Sequence, residues 1–161
     1  MNDLGIKSIM LDTSFCIRLM DKNDALHKNA LDYFKYFLTA KITIHISTIA
    51  IAEYAVVDDP TNLPINNLQI EVFDFLDAKI AGLFHKEIRG SQFNIPNYNR
   101  RIIANDVKIL AQIHTKNIQA VISKDVSSVE QYIQPLIKAN LLQIKFFDLK
   151  ATLHEVLGKL F

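Results

Sequence analysis

Short apolar runs alternate along the chain with longer segments whose apolar residues recur every three or four positions. A short run bounded by polar residues is typical of a buried strand, and the longer spacing is typical of an amphipathic helix. The runs predict strands at residues 7–11, 42–46, 69–73, 120–123 and 143–147. The longer segments predict helices at residues 13–20, 23–40, 48–57, 75–89, 101–115, 126–139 and 149–159.

This alternation indicates an α/β protein with a mainly parallel central sheet, because parallel neighbours need a crossover, usually helical, between them. We expect a three-layer α/β/α fold whose sheet has four to five strands. No stretch of the sequence has the composition of a linker or forms a repeat. The 161 residues are therefore expected to form one domain, residues 1–161.

The composition allows a sizeable core and argues against several classes of protein. Half of the residues are hydrophobic, and the net charge of +1 means that any nucleic-acid-binding surface must be local. The single cysteine, Cys16, excludes an intrachain disulfide. No apolar run approaches the roughly 20 residues that span a membrane. The start of the chain also lacks the pattern of a signal peptide, so we expect a soluble cytoplasmic protein.

Two aspartates follow predicted strands. Asp12 comes directly after the apolar run at residues 9–11, and Asp125 follows the run at residues 121–123 by two positions. Both therefore lie at carboxyl ends of predicted parallel strands, where open α/β sheets bind their ligands. The alternative is that each aspartate caps the helix that follows it, since Asp is a favoured N-cap residue.

Two further acids, Glu53 and Asp106, have apolar residues three and four positions away on both sides, which places them on apolar helix faces. A buried carboxylate is costly unless an arginine, a backbone amine or a metal compensates it. The alternative for each acid is a structural ion pair. The flanking residues are Ile49, Ala50, Val56 and Val57 for Glu53, and Ile102, Ile103, Ile109 and Leu110 for Asp106.

The four acids together point to a metal, because two strand ends and two inward helix faces can meet at one edge of the sheet. Like charges packed together raise one another's pKa, and a divalent cation removes this conflict. Ligand sets made only of oxygen favour Mg²⁺ or Mn²⁺ over zinc. The five histidines are scattered without paired metal spacing, which argues against a zinc site.

The segments that carry these acids resemble, in order and spacing, the acidic motifs of PIN domains. They are IMLDTSFCIRLM, ISTIAIAEYAV, RRIIANDVKILAQIH and QAVISKD. The chain is most similar to small single-domain members that act as toxins in bacterial toxin–antitoxin pairs, and the similarity runs from Ser8 to about Phe147. The resemblance implies a Mg²⁺- or Mn²⁺-dependent ribonuclease, often dimeric and often held silent by a cognate antitoxin.

The hypothesis that follows is hydrolysis of RNA phosphodiesters by metal-activated water. Asp12, Asp106 and Asp125 would ligate or position the metal, and Glu53 would ligate it or orient a water. In addition, the helices at residues 23–40 and 51–57 carry more apolar residues than one sheet face needs, which predicts a homodimer.

Several hydroxyl residues accompany the acids. The resemblance implies that Thr13 or Ser14 belongs to the site, with helix capping as the alternative, and that Ser123 bonds to a ligand carboxylate. Many members of the family carry a further acid shortly after the position of Asp125. This chain has Ser127 and Ser128 there instead, so a second metal is expected to bind weakly or only with substrate.

Candidate RNA-binding residues are Arg18, beyond Asp12, and Arg100 and Arg101, which precede Asp106. Tyr98 lies in the same loop and could stack on a base. For the arginines, the alternative is a solvated surface.

Three other functions remain open. The first is a PIN-like module that has lost catalysis and only binds RNA or protein, which the missing acid after Asp125 supports. The second is another α/β metal enzyme, such as a phosphatase or a flap-type nuclease. The third is a response-regulator-like phosphoacceptor, against which the helix-borne Glu53 and Asp106 argue.

Overall fold

Five parallel strands form one sheet in the computed structural model, which describes residues 4–91 and 102–158 except the side chains of Ser128 and Val129. The order across the sheet is β3-β2-β1-β4-β5, and every neighbouring pair is parallel. The strands are β1 (Ser8–Leu11), β2 (Thr43–Ser47), β3 (Gln69–Glu71), β4 (Ala120–Ser123) and β5 (Lys145–Asp148). The expected parallel sheet is therefore confirmed.

Helices cover both faces of the sheet. In one layer α1 packs on α2 and α3, and α2 packs on α7, whereas α4, α5 and α6 contact one another in the other layer. The helices are α1 (Thr13–Met20), α2 (His27–Thr39), α3 (Thr48–Tyr54), α4 (Phe75–Gly90), α5 (Asn105–Thr115), α6 (Val126–Lys138) and α7 (Leu153–Gly158). This is the expected three-layer α/β/α fold. Among the residues described, no helix is both long enough and apolar enough to cross a membrane.

The core is built around the central strands β1 and β4. All four residues of β4 are buried, as are the last three of β1. A strand covered on both faces has no side that meets water, and for this reason both strands read as continuous apolar runs. The pairing of Leu11 with Ile122 brings the carboxyl ends of these two strands level with each other.

Four predicted helix boundaries are wrong: three helices begin later than predicted and one ends earlier. The helix predicted from residue 23 begins at His27, after Asp21 and Asp24 accept hydrogen bonds from nearby backbone N–H groups. Such local side-chain bonds compete with helix formation. The helix predicted to reach residue 57 ends at Tyr54. The helix predicted from residue 101 begins at Asn105, after an extended Ala104. The helix predicted from residue 149 begins at Leu153, after Asp148 accepts a hydrogen bond from the backbone N–H of Lys150.

Two predicted helix ends are confirmed by their local geometry. Ser47 caps α3, because its side chain accepts a hydrogen bond of 3.0 Å from the backbone N–H of Ile49. Asn117 follows α5 with a φ of 55°, the left-handed conformation that Asn adopts more readily than most residues. Ser47 thus marks the start of the helix that leaves β2, and Asn117 marks the end of the helix that leads into β4.

The order of the strands creates a crevice between β1 and β4. From β1 the chain winds outward to β2 and β3, then returns to β4 and winds outward in the other direction to β5. Where the winding reverses, the two connections leave in opposite directions from the carboxyl ends of neighbouring strands. In α/β sheets this switch point is the usual place for a ligand.

Candidate active site

Asp12 and Asp125 lie on the two sides of the switch point. Asp12 directly follows β1, and its backbone N–H donates to the carbonyl oxygen of Ile122 at 3.2 Å. Asp125 follows β4 by two residues and begins α6. The parallel sheet thus brings together two aspartates that are more than a hundred positions apart in the sequence.

Neither aspartate acts as a helix cap through its side chain. Asp12 and Asp125 occupy the N-cap positions of α1 and α6, yet neither side chain accepts a capping hydrogen bond. One oxygen of Asp12, Oδ2, instead accepts hydrogen bonds from the hydroxyls of Ser14 at 3.0 Å and Ser123 at 2.7 Å. The capping alternative for these two acids is therefore wrong.

Ser14 and Ser123 connect the two strand ends. Each hydroxyl has one proton, and each donates it to Asp12. The Ser14 oxygen accepts the backbone N–H of Lys124, and the Ser123 oxygen accepts that of Asp125, both at 3.0 Å. The two hydroxyl oxygens lie 3.3 Å apart, but neither has a second proton to donate to the other. These bonds hold the segment that carries Asp125 against the start of α1.

Glu53 reaches the same edge from α3. The hydroxyl of Thr13 donates to its Oε1 atom at 3.1 Å, so Glu53 lies beside the residue that follows Asp12. Val56 and Val57, which predicted an inward position for Glu53, lie beyond the helix and are exposed. The position of Glu53 comes instead from Ala50 and Tyr54, which are buried on either side of it in α3.

Asp106 lies in the first turn of α5, in the opposite helical layer, and is half-buried. Burial, followed in order of size by the charges of Asp12, Glu53 and Asp125, raises its pKa from 3.8 to about 6. Burial also raises the pKa of Tyr132, with a smaller contribution from Asp106. The other three acids therefore act electrostatically on Asp106, and we refer to Asp12, Glu53, Asp106 and Asp125 as the acidic cluster.

Buried acids elsewhere in the protein have partners of opposite charge or strong donors. Glu71 lies 2.7 Å from Nδ1 of His45. Asp77 accepts a hydrogen bond from Thr115 and lies 3.7 Å from Nζ of Lys116. By contrast, no cation within residues 4–91 and 102–158 pairs with any member of the acidic cluster. The structure thus gives no support to the structural ion pairs considered for Glu53 and Asp106.

The donor chemistry of the acidic cluster fits a hard divalent cation, although the side chains are not gathered around one point. Carboxylate oxygens are the ligands that Mg²⁺ and Mn²⁺ prefer. Within the described part of the chain, no three acidic, histidine or cysteine side chains are close enough to share one ion as they stand. Asp12 and Glu53 accept hydrogen bonds from hydroxyls instead. Metal binding at this edge therefore stays a prediction.

The other candidates are the predicted RNA-binding residues and Ser127. Nη1 of Arg18 lies 3.4 Å from the carbonyl oxygen of Ser14, and Nε lies 3.5 Å from Asp24, so a role in RNA binding stays a prediction. Ser127 is exposed in the first turn of α6. Three predicted RNA-binding residues lie outside the described residues, namely Tyr98, Arg100 and Arg101.

Cys16 lies one turn after Asp12 in α1 and is buried. Burial, with a smaller contribution from the charge of Asp12, raises the pKa of its thiol to about 12. A thiol with that pKa carries almost no thiolate at neutral pH, and the thiolate is the nucleophilic form. Cys16 is therefore a core residue.

The fold is shared with solved structures of PIN-domain toxins. VapBC2 from Rickettsia felis, bound to a DNA fragment from their promoter, contains a chain 17% identical to this one, with a TM-score of 0.60 over 88% of this chain and 99% of that chain. FitAB bound to an IR36 DNA fragment gives 15% identity and a TM-score of 0.61 over 91% of this chain and 98% of that chain. DNA-bound VapBC from Salmonella typhimurium gives 16% identity and a TM-score of 0.56 over 88% of this chain and 98% of that chain.

No protein-family model matches the chain, and no curated protein matches it by sequence. At these identities the likeness to solved structures concerns the fold. The resemblance to PIN-domain toxins that the acidic motifs predict is confirmed at that level. The chemistry of this chain has to be argued from its own residues.

Proposed function

We propose that this protein is a ribonuclease of the PIN-domain type, which hydrolyses RNA phosphodiesters with Mg²⁺ or Mn²⁺ bound at the acidic cluster. The observation that carries the proposal is that the four acids lie at one edge of the sheet, where the other three raise the pKa of Asp106. Asp12 and Asp125 flank the switch point, while Glu53 and Asp106 approach it from helices on opposite faces of the sheet. Unpaired like charges at a ligand-binding edge are expected where a cation and a phosphate bind.

Each side chain has a specific task in this proposal. Asp12, Asp106 and Asp125 would hold the cation, and Glu53 would either join them or orient a water. A bound divalent cation would lower the pKa of a water and polarise the phosphoryl group. Ser14 and Ser123 leave Asp12 one carboxylate oxygen, Oδ1, that accepts no hydrogen bond from the described residues. That oxygen is available to a ligand.

An RNA cleavage assay with a single-stranded oligonucleotide tests this proposal. We expect cleavage with Mg²⁺ or Mn²⁺ and none after chelation, because no side chain of the acidic cluster can polarise the phosphoryl group or activate a water as a bound divalent cation does. A small phosphomonoester should not be hydrolysed, which separates a ribonuclease from a phosphatase. Asp32→Asn, a change at a partly exposed position on α2, serves as the control and should cleave normally.

The second candidate function is a PIN-like module that binds RNA or protein without cleaving it. It is favoured by Ser127, an exposed serine at a position where an acid is expected after Asp125. Metal-independent RNA binding without any cleavage would support this alternative and overturn the ribonuclease proposal.

We further propose that this protein binds a cognate antitoxin protein and forms a homodimer with a second copy of this chain. The similar structures are VapBC and FitAB complexes, which supports a protein partner. The apolar face of α2 is largely buried within the chain, so this helix does not have the surplus of exposed apolar residues that the sequence predicts. After α3, however, Val56 is 88% exposed and Val57 is 63% exposed. Such side chains favour an interface.

Sedimentation of the purified protein at tens of micromolar is expected to show a dimer. Val57→Ser should shift it toward the monomer, because it removes exposed apolar area from the proposed interface. Leu83→Ser is the matched control, since Leu83 is also exposed but lies on α4. A monomeric unmodified protein would contradict the homodimer.

A further inference from the structure

Lys124 lies within the acidic site, between Ser123 and Asp125. Its backbone N–H donates to the hydroxyl of Ser14 at 3.0 Å, and the next N–H donates to Ser123. Two hydrogen bonds therefore hold the backbone on both sides of its Cα atom. The side chain itself is exposed. A long cationic side chain thus starts from a well-held point at the edge of the acidic cluster.

The ammonium group of Lys124 has no ion-pair partner among the side chains that the structure describes. Arg18, which follows Asp12 in α1, has a side chain that is only 18% exposed, and its guanidinium lies against Asp24 and the Ser14 carbonyl. Arg18 would have to leave these contacts to reach a phosphate. Lys124 can bind an anion without breaking an ion pair within the described residues.

Two other lysines are near this edge but are less well placed. Lys108 is half-buried on the helix that carries Asp106, and Lys150 follows the outer strand β5. Lys124 follows the central strand β4, beside the switch point. RNA is a polyanion, and four carboxylates repel it, so an unpaired cation beside them matters for holding the backbone.

We infer that Lys124 binds a phosphate of the RNA backbone next to the acidic cluster and positions the strand for cleavage. This inference rests on the proposed ribonuclease function and adds to it the residue that contacts the substrate. The contact is with a phosphate, so it is independent of base identity. Lys124 is a substrate-positioning residue and takes no proton in the reaction.

The test measures binding of single-stranded RNA oligonucleotides of two different sequences, in chelator, at several salt concentrations. Lys124→Gln is expected to weaken the affinity for both RNAs about tenfold, as for one lost charged hydrogen bond. The slope of log affinity against log salt should become shallower by about 0.7, the value for one phosphate contact on a single strand. Lys124→Glu should weaken binding further.

Lys7→Gln is the matched control, because Lys7 is an exposed lysine that precedes β1 at the opposite edge of the sheet. It removes the same charge, so an equal effect of both variants would overturn the inference in favour of a net-charge effect. In the metal-dependent cleavage assay, Lys124→Gln should raise KM with kcat changed less than twofold. The melting temperature should not change, since the side chain is exposed.

The outcomes separate this inference from the function on which it rests. If the unmodified protein cleaves RNA but Lys124→Gln has the same affinity and salt slope, the inference is wrong and the ribonuclease proposal stands. If the unmodified protein neither binds nor cleaves RNA, both are wrong. A loss of kcat at unchanged KM would also contradict a positioning role through phosphate binding.

Discussion

Asp106→Asn is expected to abolish RNA cleavage and, in metal-free buffer at neutral pH, to make the protein more stable. The variant keeps the shape of the side chain but removes one of four neighbouring charges. Burial and, to a smaller extent, charge repulsion raise the pKa of Asp106 to about 6, which means that its ionised form is disfavoured in the folded protein. Removing that charge should raise the free energy of unfolding by roughly 2 kcal/mol at pH 7, allowing for partial solvent screening.

The stabilisation should depend on pH in a defined direction. The folded pKa of about 6 lies above the ordinary value of 3.8, so the folded protein binds a proton more tightly than the unfolded chain. Between these values the contribution of Asp106 to the free energy of unfolding falls as pH rises. Well below pH 3.8 both the folded protein and the unfolded chain are protonated at this position, and the benefit of Asp106→Asn should disappear. Urea unfolding of both proteins across this range measures the effect.

Asp77→Asn provides the control for this experiment. Asp77 is fully buried, accepts a hydrogen bond from Thr115 and lies near Lys116. Breaking such a pair typically costs about 3 kcal/mol. We therefore expect opposite signs for the two variants at pH 7. If Asp106→Asn destabilises the protein as Asp77→Asn does, Asp106 has a structural partner, and its assignment to a metal site is wrong.

Millimolar Mn²⁺ or Mg²⁺ is expected to raise the melting temperature. A ligand present at a hundred times its Kd stabilises the folded state by about 2.7 kcal/mol. For a chain of this length that corresponds to a shift of roughly 5 to 10 °C. The physical reason is that a bound cation cancels the repulsion among the four acids. These acids lie close together only in the folded protein, so the cation binds and stabilises that state.

Asp12→Asn should raise the melting temperature in metal-free buffer and reduce the response to Mn²⁺. The amide keeps an oxygen that can accept the hydroxyl protons of Ser14 and Ser123, but it loses the charge. Asp32 is partly exposed and pairs with Lys28 on α2, so Asp32→Asn should keep the full metal response. An unmodified protein whose melting temperature ignores millimolar Mn²⁺ would count strongly against the acidic cluster as a metal site.

The local pattern of the sequence was enough to predict most secondary structure. The apolar runs of β1 and β4 are buried on both faces, and such strands have an unambiguous signature. Helix ends were harder to predict where apolar residues continue past the helix. Val56 and Val57 suggested a longer α3, and Ile102 suggested an earlier start of α5, yet all three are exposed. Apolar spacing reports a periodic pattern, but it does not show whether the last residues of that pattern reach the core.

By itself the sequence determined that acids follow the ends of two buried strands and stand within two apolar helical segments. Only the tertiary structure decided that β1 and β4 are neighbours, which makes Asp12 and Asp125 face a common crevice. The order of strands depends on contacts between distant segments, so no local periodicity encodes it. The same holds for the hydroxyl bonds that join Ser14 and Ser123 to Asp12, and for the exposed Lys124 beside them. Residue types can be read from the chain, whereas their distances come from the packing of the whole sheet.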